Sequence, residues 1–222
     1  MKLVLHPKKR IILKKIDHSK LKATPETEDF SGKYTDENFI SKHLVNNYFN
    51  SVQKLLRKIN NVTSAHEIGC GEGRSTIRLN KMISNLTASE YVEELVLKAK
   101  ENNPDLDIFQ ESVYELKNND SSIEMVFLLE VLEHLDYPEI ALKEIKRVSK
   151  EYLIIGVPRE PLWRFLNMCR FKYLKSFGNT PGHLNHWSKK SLIKLVEKKF
   201  GKVIAVESPI PWTIVLAKKS QT

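Results

Sequence analysis

The sequence predicts an α/β protein with a seven-stranded, mostly parallel sheet and helices on both faces. Strand-like apolar segments alternate with helix-like amphipathic segments from about residue 64 to residue 200. Two strand-like segments at the end follow each other with only a proline-containing turn between them, which predicts an antiparallel terminal pair. A chain of 222 residues is long enough to bury the full core that such a sheet requires.

The first predicted element is an amphipathic helix from about Asn38 to Arg57, where apolar residues recur at helical spacing. The strands that follow are SAHEIG, SNLTASE, LDIFQES, SSIEMVFLLE, YLIIGVP, KVIAVES and WTIVLAKK. The helices between them cover about residues 75–82, 91–102, 138–149 and 189–200. Pro138 lies near the start of one helix and Gly201 follows another, and both positions are typical of helix boundaries.

Three parts of the chain differ in composition and charge. Residues 1–33 form a basic arm with a short strand-like segment, RIIL, and residues 34–222 form the main domain. An insertion at about residues 159–187 follows the fifth strand and contains many apolar and basic residues. Formal net charge is +7 over residues 1–22, −8 over 23–158 and +9 over 159–203. A basic surface attracts anionic small molecules, nucleic acids or membranes, although lysines of the helix at 189–199 alternate with an apolar stripe and suit a solvated face.

Several classes of protein are disfavoured by what the sequence lacks. Its start is too poor in apolar residues for a signal peptide, and no run reaches the length of a membrane span. Cys70 and Cys169 are too few for a disulfide framework and lack the spacing of a metal site. We therefore expect a cytoplasmic protein without a membrane span. The sequence gives no indication of the oligomeric state.

The loop HEIGCGEGRS concentrates glycine directly after the first strand. Gly69, Gly71 and Gly73 form G-x-G-x-G, whereas a dinucleotide site typically has G-x-G-x-x-G, and Arg74 occupies the place of that third glycine. The Gly-Lys-Ser/Thr ending of a phosphate-binding P-loop is absent. A tight strand-to-helix turn without a ligand is the third interpretation, and glycine alone does not exclude it.

Acidic residues at the ends of the first two strands favour a nucleoside ligand. Glu67 lies in the first strand just before the glycines, and Glu90 ends the second strand, where a carboxylate can accept hydrogen bonds from ribose hydroxyls. With ESVYEL, EVLEHLDYPEIALKEIKRV and YLIIGVP, these features resemble the class I S-adenosylmethionine (SAM) methyltransferases from about Thr63 to Lys218. That family has a Rossmann-like fold, so the resemblance implies the same sheet and SAM as cofactor.

The resemblance also implies roles for individual residues. Gly69 and Gly71 would let the backbone approach the methionine part of SAM, and Glu67 would orient the loop and the ammonium group. Glu90 would bind the ribose hydroxyls, although an acid here also suits a helix N-terminus. The remaining residues implied at the cofactor are Cys70 and Gly73 in the loop, Tyr91, Ser112 and Val113 beside the adenine, and Glu130 at the methionine end. Tyr34, in the segment before the first helix, would cover the cofactor or be a surface turn residue.

Two departures from the family pattern are visible. The glycine-rich turn that often precedes the fifth strand is missing, because VSKEYLII runs straight through. Ser112 stands where the family usually has an aspartate, so the contact with the adenine amino group loses its charge.

The sequence indicates the residues that would bind the methyl acceptor less clearly than those that would bind the cofactor. His134 follows the fourth strand and is the candidate general base for an acceptor hydroxyl, with helix capping or packing as the alternative. The insertion should determine the substrate, and Trp163, His183 and His186 are the candidate substrate-binding residues, although most of its apolar residues would pack against the core. Its arginines and lysines make an anionic acceptor plausible.

A metal site is an alternative that the acidic and histidine spacing leaves open. Glu130, Glu133 and His134 share one face if helical, and His183 or His186 could join them around a divalent cation. Small-RNA 2′-O-methyltransferases have a similar arrangement, but the insertion here does not resemble theirs. Our interpretation is methylation of a small molecule on oxygen without a metal. The alternatives are RNA 2′-O-methylation with a metal, and a SAM-binding regulatory protein without turnover.

Overall fold

The computed structural model describes residues 16–17, 20–22, 39–59 and 62–221 of the chain. These residues form a seven-stranded sheet in the order β3-β2-β1-β4-β5-β7-β6. The strands are β1 Ser64–Ile68, β2 Asn85–Glu90, β3 Ile108–Gln110, β4 Ile123–Leu129, β5 Ser149–Pro158, β6 Gly201–Glu207 and β7 Trp212–Lys219. The helices are α1 Phe39–Leu56, α2 Arg74–Asn80, α3 Glu93–Asn102, α4 Pro138–Val148, α5 Leu162–Cys169 and α6 Lys189–Lys199.

The strand directions confirm the predicted fold class. Strands β1 to β5 are parallel to one another, whereas β7 lies between β5 and β6 and is antiparallel to both. All seven predicted strands are present. Strand β5 begins at Ser149, three residues before the predicted segment, because SKEYLII continues without a turn as its sequence indicated.

Helices pack on both faces because β4 alternates its side chains between two apolar layers. Val126 and Leu128 belong to a core with α4 and α6, whereas Met125 and Phe127 belong to a core with α1 and α2. All four side chains are fully buried. The central strands are therefore fixed from both sides, and their carboxyl ends form a rigid edge.

The insertion, residues 159–187, folds around α5 and a 3₁₀ turn at Leu174–Ser176. Asn167 is buried and donates from Nδ2 to Gly178 O at 2.9 Å and to Thr180 Oγ1 at 3.2 Å. Trp163 donates from Nε1 to Thr180 Oγ1 at 2.9 Å. These bonds tie the second half of the insertion to α5.

The predicted RIIL strand and Tyr34 lie outside the described residues. A short piece of the basic arm is described, and its Ile16 and Leu21 pack against the core that contains α4 and α6. The backbone N–H of Lys22 donates to Asp136 Oδ1 at 2.8 Å. Among the helices that the structure describes, none is long and apolar enough to cross a membrane.

Candidate active site

A cavity lies at the carboxyl ends of β1 to β4. Strand β1 pairs with β2 on one side and with β4 on the other, so the strand order reverses beside it. Open parallel sheets bind ligands at such a reversal. The cavity is lined by Leu21, Ile68, Gly69, Cys70, Gly71, Glu72, Arg74, Ser75, Glu90, Tyr91, Glu111, Ser112, Val113, Tyr114, Leu129, Glu130, Val131, His134 and Leu135.

The glycine loop has a left-handed backbone at each of its three glycines. Gly69, Gly71 and Gly73 have φ values of 74°, 55° and 77°. A Cβ atom at Gly69 would lie 2.5 Å from Val131 Cγ2, so this glycine allows β1 to approach the β4 edge closely. At Gly71 no atom lies within 4 Å of a Cβ position, and the residue lines the cavity. This open space lets a ligand approach the backbone.

Glu90 connects the glycine loop to the start of α3. Its Oε2 accepts from Gly71 N at 2.9 Å, and its Oε1 accepts from Tyr91 N at 2.7 Å and Val92 N at 3.1 Å. The side chain is buried, and Glu90 lines the cavity. A carboxylate has about four acceptor sites. It can therefore hold the loop, cap the helix and still accept a hydroxyl from a ligand.

Glu67 lies behind the loop instead of lining the cavity. It is buried, and its Oε2 accepts from Thr76 Oγ1 at 2.6 Å. Burial raises the pKa of Glu67 to about 7, although hydrogen bonds from Ser75 and Thr76 partly oppose this increase. The side chain therefore anchors the start of α2 and can change protonation near neutral pH. Gly73 is also outside the cavity lining and packs against Ala99 and Asn103.

The wall next to β3 contains a buried contact between a histidine and a carboxyl group that the sequence did not indicate. His66 Nε2 lies 3.4 Å from Glu111 Oε1, and both side chains are almost fully buried. Burial alone would raise the pKa of Glu111, but its contact with His66 and a hydrogen bond from the Lys117 N–H outweigh this effect and lower the pKa. Ser112 and Val113 continue this wall, and Tyr91, which is 40% exposed, stands at its edge.

The end of β4 carries the residues nearest the predicted methionine end. Glu130 directly follows β4 and has a φ of 60°, a left-handed backbone that is unusual for glutamate. Such strained positions concentrate at functional sites. His134 lies in a 3₁₀ turn, Leu132–His134, and lines the same cavity.

The insertion fixes the orientation of His134. Its Nδ1 lies 3.2 Å from the carbonyl oxygen of Gly182. Because a carbonyl can only accept, Nδ1 carries the hydrogen, and Nε2 is the acceptor nitrogen of the neutral ring. The His183 ring packs edge-on against His134, with centroids 4.9 Å apart. The insertion therefore contacts the candidate base through its backbone and through a second imidazole.

Glu133, His134 and His183 form a compact group of ligand atoms. One ligand atom from each residue lies within 4.8 Å of the others, and Glu133 and His183 are buried. Glu130 and His186, which the sequence-based metal hypothesis also included, are not members of this group. Imidazoles with a carboxylate are typical ligands of Zn²⁺ and related cations.

The predicted substrate-binding residues do not line the cavity. Trp163 stacks on His183 with centroids 6.0 Å apart, and His183 lies between Trp163 and His134. His186 is exposed, and its Nε2 lies 2.6 Å from Asn179 Oδ1. Tyr34 lies outside the described residues. Trp163 and His183 thus form a layer behind His134, and His186 belongs to the surface of the insertion.

Leu21 and Leu135 are lining residues that sequence reasoning missed. Leu21 belongs to the basic arm, where a single leucine among lysines gives no signal of a binding role. Together with Leu129 and Val131, they make the wall near His134 apolar. An apolar wall excludes water and strengthens polar interactions inside the site.

The doubly wound sheet, the glycine loop and a buried acid at the end of β2 define a nucleoside-binding α/β protein. Solved structures with this fold include magnesium protoporphyrin IX methyltransferase from Synechocystis PCC 6803 with bound S-adenosylhomocysteine (SAH), at 16% sequence identity. The match covers 82% of this chain and 88% of that one, with a TM-score of 0.64. SAM-dependent methyltransferases from Aquifex aeolicus and Methanosarcina mazei match at 19% and 18% identity and TM-scores of 0.61 and 0.60. Each match covers 76% of this chain, with 89% and 98% of the respective relative.

Residues 66–154 match the family model described as a methyltransferase domain. No curated protein matches the chain. The matched segment is therefore a methyltransferase domain, and the fold around it is that of the SAM-dependent methyltransferases, enzymes whose cofactor is SAM.

Proposed function

We propose that this enzyme methylates a hydroxyl oxygen of a small-molecule acceptor and that His134 is the general base. The observation that carries the proposal is the hydrogen bond from His134 Nδ1 to Gly182 O, because it makes Nε2 the acceptor nitrogen of a ring that lines the cavity. SAM supplies a methyl group that the sulfonium already activates. The main tasks of the protein are therefore to align the reactants, exclude water and accept the hydroxyl proton.

The cofactor roles follow the geometry of the loop and its neighbours. The open space at Gly71 admits the methionine part, and the carboxylate of Glu90 accepts from the ribose hydroxyls. Tyr91, Ser112 and Val113 border the adenine side of the cavity. Glu130 and the loop residues Gly69 and Cys70 border the methionine end, while Glu67 and Gly73 support the loop from behind.

An anionic acceptor is the favoured substrate class. The insertion contains five basic residues and one acid, Glu160, and it borders His134 through Gly182 and His183. A carboxylated or phosphorylated molecule would be attracted to this side of the site. The free thiols of Cys70 and Cys169 suit the reducing cytoplasm.

The test uses radiolabelled SAM with a small-molecule extract as the source of acceptor. We expect His134→Asn to lower transfer by about 100-fold or more, because an amide can keep a bond to Gly182 O but cannot accept the proton. His43→Asn, on the exposed face of α1, is the matched control and should keep full transfer. Affinity for SAH should be unchanged in both. Full transfer by His134→Asn would contradict the role of His134.

The group of Glu133, His134 and His183 favours a second candidate function, metal-assisted methylation of an RNA 2′-hydroxyl. Two treatments separate the candidates. If ribonuclease destroys the acceptor and a chelator abolishes transfer, with about one divalent ion per chain by elemental analysis, the RNA candidate replaces the first. SAH binding without transfer to any extract would instead favour a regulatory role.

A further inference from the structure

We propose that the insertion docks this enzyme onto an anionic lipid membrane. The insertion carries five exposed large apolar residues, called here the aromatic patch: Phe165, Phe171, Tyr173, Leu174 and Phe177. Their exposed fractions are 57%, 84%, 40%, 53% and 72%. Single exposed apolar residues are normal, but five large ones within thirteen residues of sequence indicate an interaction site.

The backbone holds three of these aromatic residues in an unfavourable conformation. Phe171, Tyr173 and Phe177 have left-handed φ values of 56°, 57° and 51°. A bulky side chain rarely adopts such angles, and strain of this kind persists only where the surrounding structure imposes it. Arg164 Nε donates to Phe177 O at 2.9 Å, and Gly178 N donates to Tyr173 O at 2.9 Å. The aromatic patch is therefore presented by a hydrogen-bonded loop.

The positive charge around the aromatic patch favours an anionic binding partner. Arg170, Lys172 and Lys175 alternate with the aromatic patch and are exposed, and within the described residues none of them forms an ion pair. The insertion as a whole has a formal net charge of +4, from five bases and one acid. Apolar and aromatic side chains flanked by unpaired basic residues are typical of protein segments that lie in the interface of an anionic bilayer.

Two other occupants fit less well. If a second copy of the chain bound symmetrically to the patch, two insertions, each with a formal net charge of +4, would lie close together and repel each other. Single-stranded RNA binds through bases stacked on aromatic rings, whereas Leu174, which is 53% exposed, offers no ring to stack on. A bilayer accepts both aromatic and aliphatic side chains at its interface, and its anionic headgroups pair with the lysines.

The same insertion contacts His134 through Gly182 and His183. Docking would therefore bring the membrane surface close to the active site. Membrane binding is independent of the role proposed for His134, because the aromatic patch, Arg170, Lys172 and Lys175 are not part of the cavity lining.

The experiment measures partitioning of the full-length protein onto vesicles by co-sedimentation. We expect binding to vesicles of phosphatidylcholine with phosphatidylglycerol and little binding to phosphatidylcholine alone. The double variant Phe171→Asn/Phe177→Asn should lower the partition coefficient by about tenfold or more, because asparagine tolerates the left-handed backbone but contributes no apolar area. Lys172→Glu/Lys175→Glu should also lower it by at least about tenfold.

Matched controls are Leu97→Asn on α3, which is 58% exposed, and Lys194→Glu on α6. Both should bind vesicles like the wild type, and all variants should keep the wild-type affinity for SAH. Failure of the wild type to bind anionic vesicles would overturn the proposal. Equal binding by the wild type and both patch variants would overturn it as well, since another basic region would then be responsible. Patch-dependent binding to polyuridylate without vesicle binding would assign the surface to RNA instead.

Discussion

The glycine loop and the insertion both contain residues with a left-handed backbone, but these residues are glycines in the loop and include aromatic residues in the insertion. The loop has left-handed residues at Gly69, Gly71 and Gly73. The insertion has them at Phe171, Tyr173 and Phe177 in addition to Gly178 and Gly182. Glycine adopts these angles readily, whereas an aromatic residue pays about 1–2 kcal/mol for each. The loop can therefore be recognised from its composition, but nothing in the sequence of the insertion reveals its backbone.

The two regions also differ in how they use charge. Near the loop, Glu67 and Glu90 are buried and hydrogen-bonded to neighbouring groups. In the insertion, Arg170, Lys172 and Lys175 lie on the surface beside exposed aromatic side chains. The first region is suited to holding one ligand in a fixed position, and the second is suited to contact with an acceptor or a surface. Substitutions in one region should therefore leave the function of the other intact.

Among substitutions that test whether the two regions function separately, we expect the largest effect, a loss of SAH affinity, at Glu90. Glu90→Ala removes the acceptor of the Gly71 N–H and of the proposed ribose contacts, so SAH affinity by calorimetry should fall by several hundred-fold. Glu90→Gln keeps the size of the side chain and should lose less. Glu93→Ala, an exposed acid one turn away on α3, is the control and should bind normally. Unchanged affinity in Glu90→Ala would remove Glu90 from the site.

The buried carboxyl of Glu67 makes the stability of the glycine loop depend on pH. Because its folded pKa, about 7, exceeds the ordinary value of 4.5, the folded state holds the proton more tightly. Its contribution to stability is therefore present at low pH and is lost as pH rises toward and through 7. Between pH 5 and pH 8 this loss is on the order of 2–3 kcal/mol.

Urea unfolding at these two pH values tests that effect. The stability difference between Glu67→Gln and the wild type should shift in favour of the variant by about 2–3 kcal/mol at the higher pH. Glu93→Gln should track the wild type at both. A constant difference between Glu67→Gln and the wild type would show that Glu67 is ionised throughout.

Much of the fold was predictable because β4, β5 and β7 are mostly buried apolar runs and because strand-like and helix-like segments alternate along the chain. The cofactor side was also accessible, since Gly69, Glu90 and Ser112 each follow or end a strand, and parallel strands bring their carboxyl ends together. The position of Leu21 in the cavity wall could not be predicted from the sequence, because it depends on packing of the basic arm against the core. The left-handed Glu130 and the Gly182 contact of His134 are likewise products of tertiary structure.

A substitution within the insertion also tests whether the insertion and the glycine loop function independently. Asn167→Ala leaves Gly178 O without its side-chain donor and Thr180 without one of its partners. A buried acceptor left unsatisfied costs about 1–2 kcal/mol. This loss should appear as faster hydrogen exchange and proteolysis within the insertion, because Asn167 contacts only that segment in these bonds. Asn119→Ala, in an exposed loop, should change neither. SAH affinity should stay at the wild-type value, and a parallel loss of SAH affinity would show that the insertion and the glycine loop are coupled.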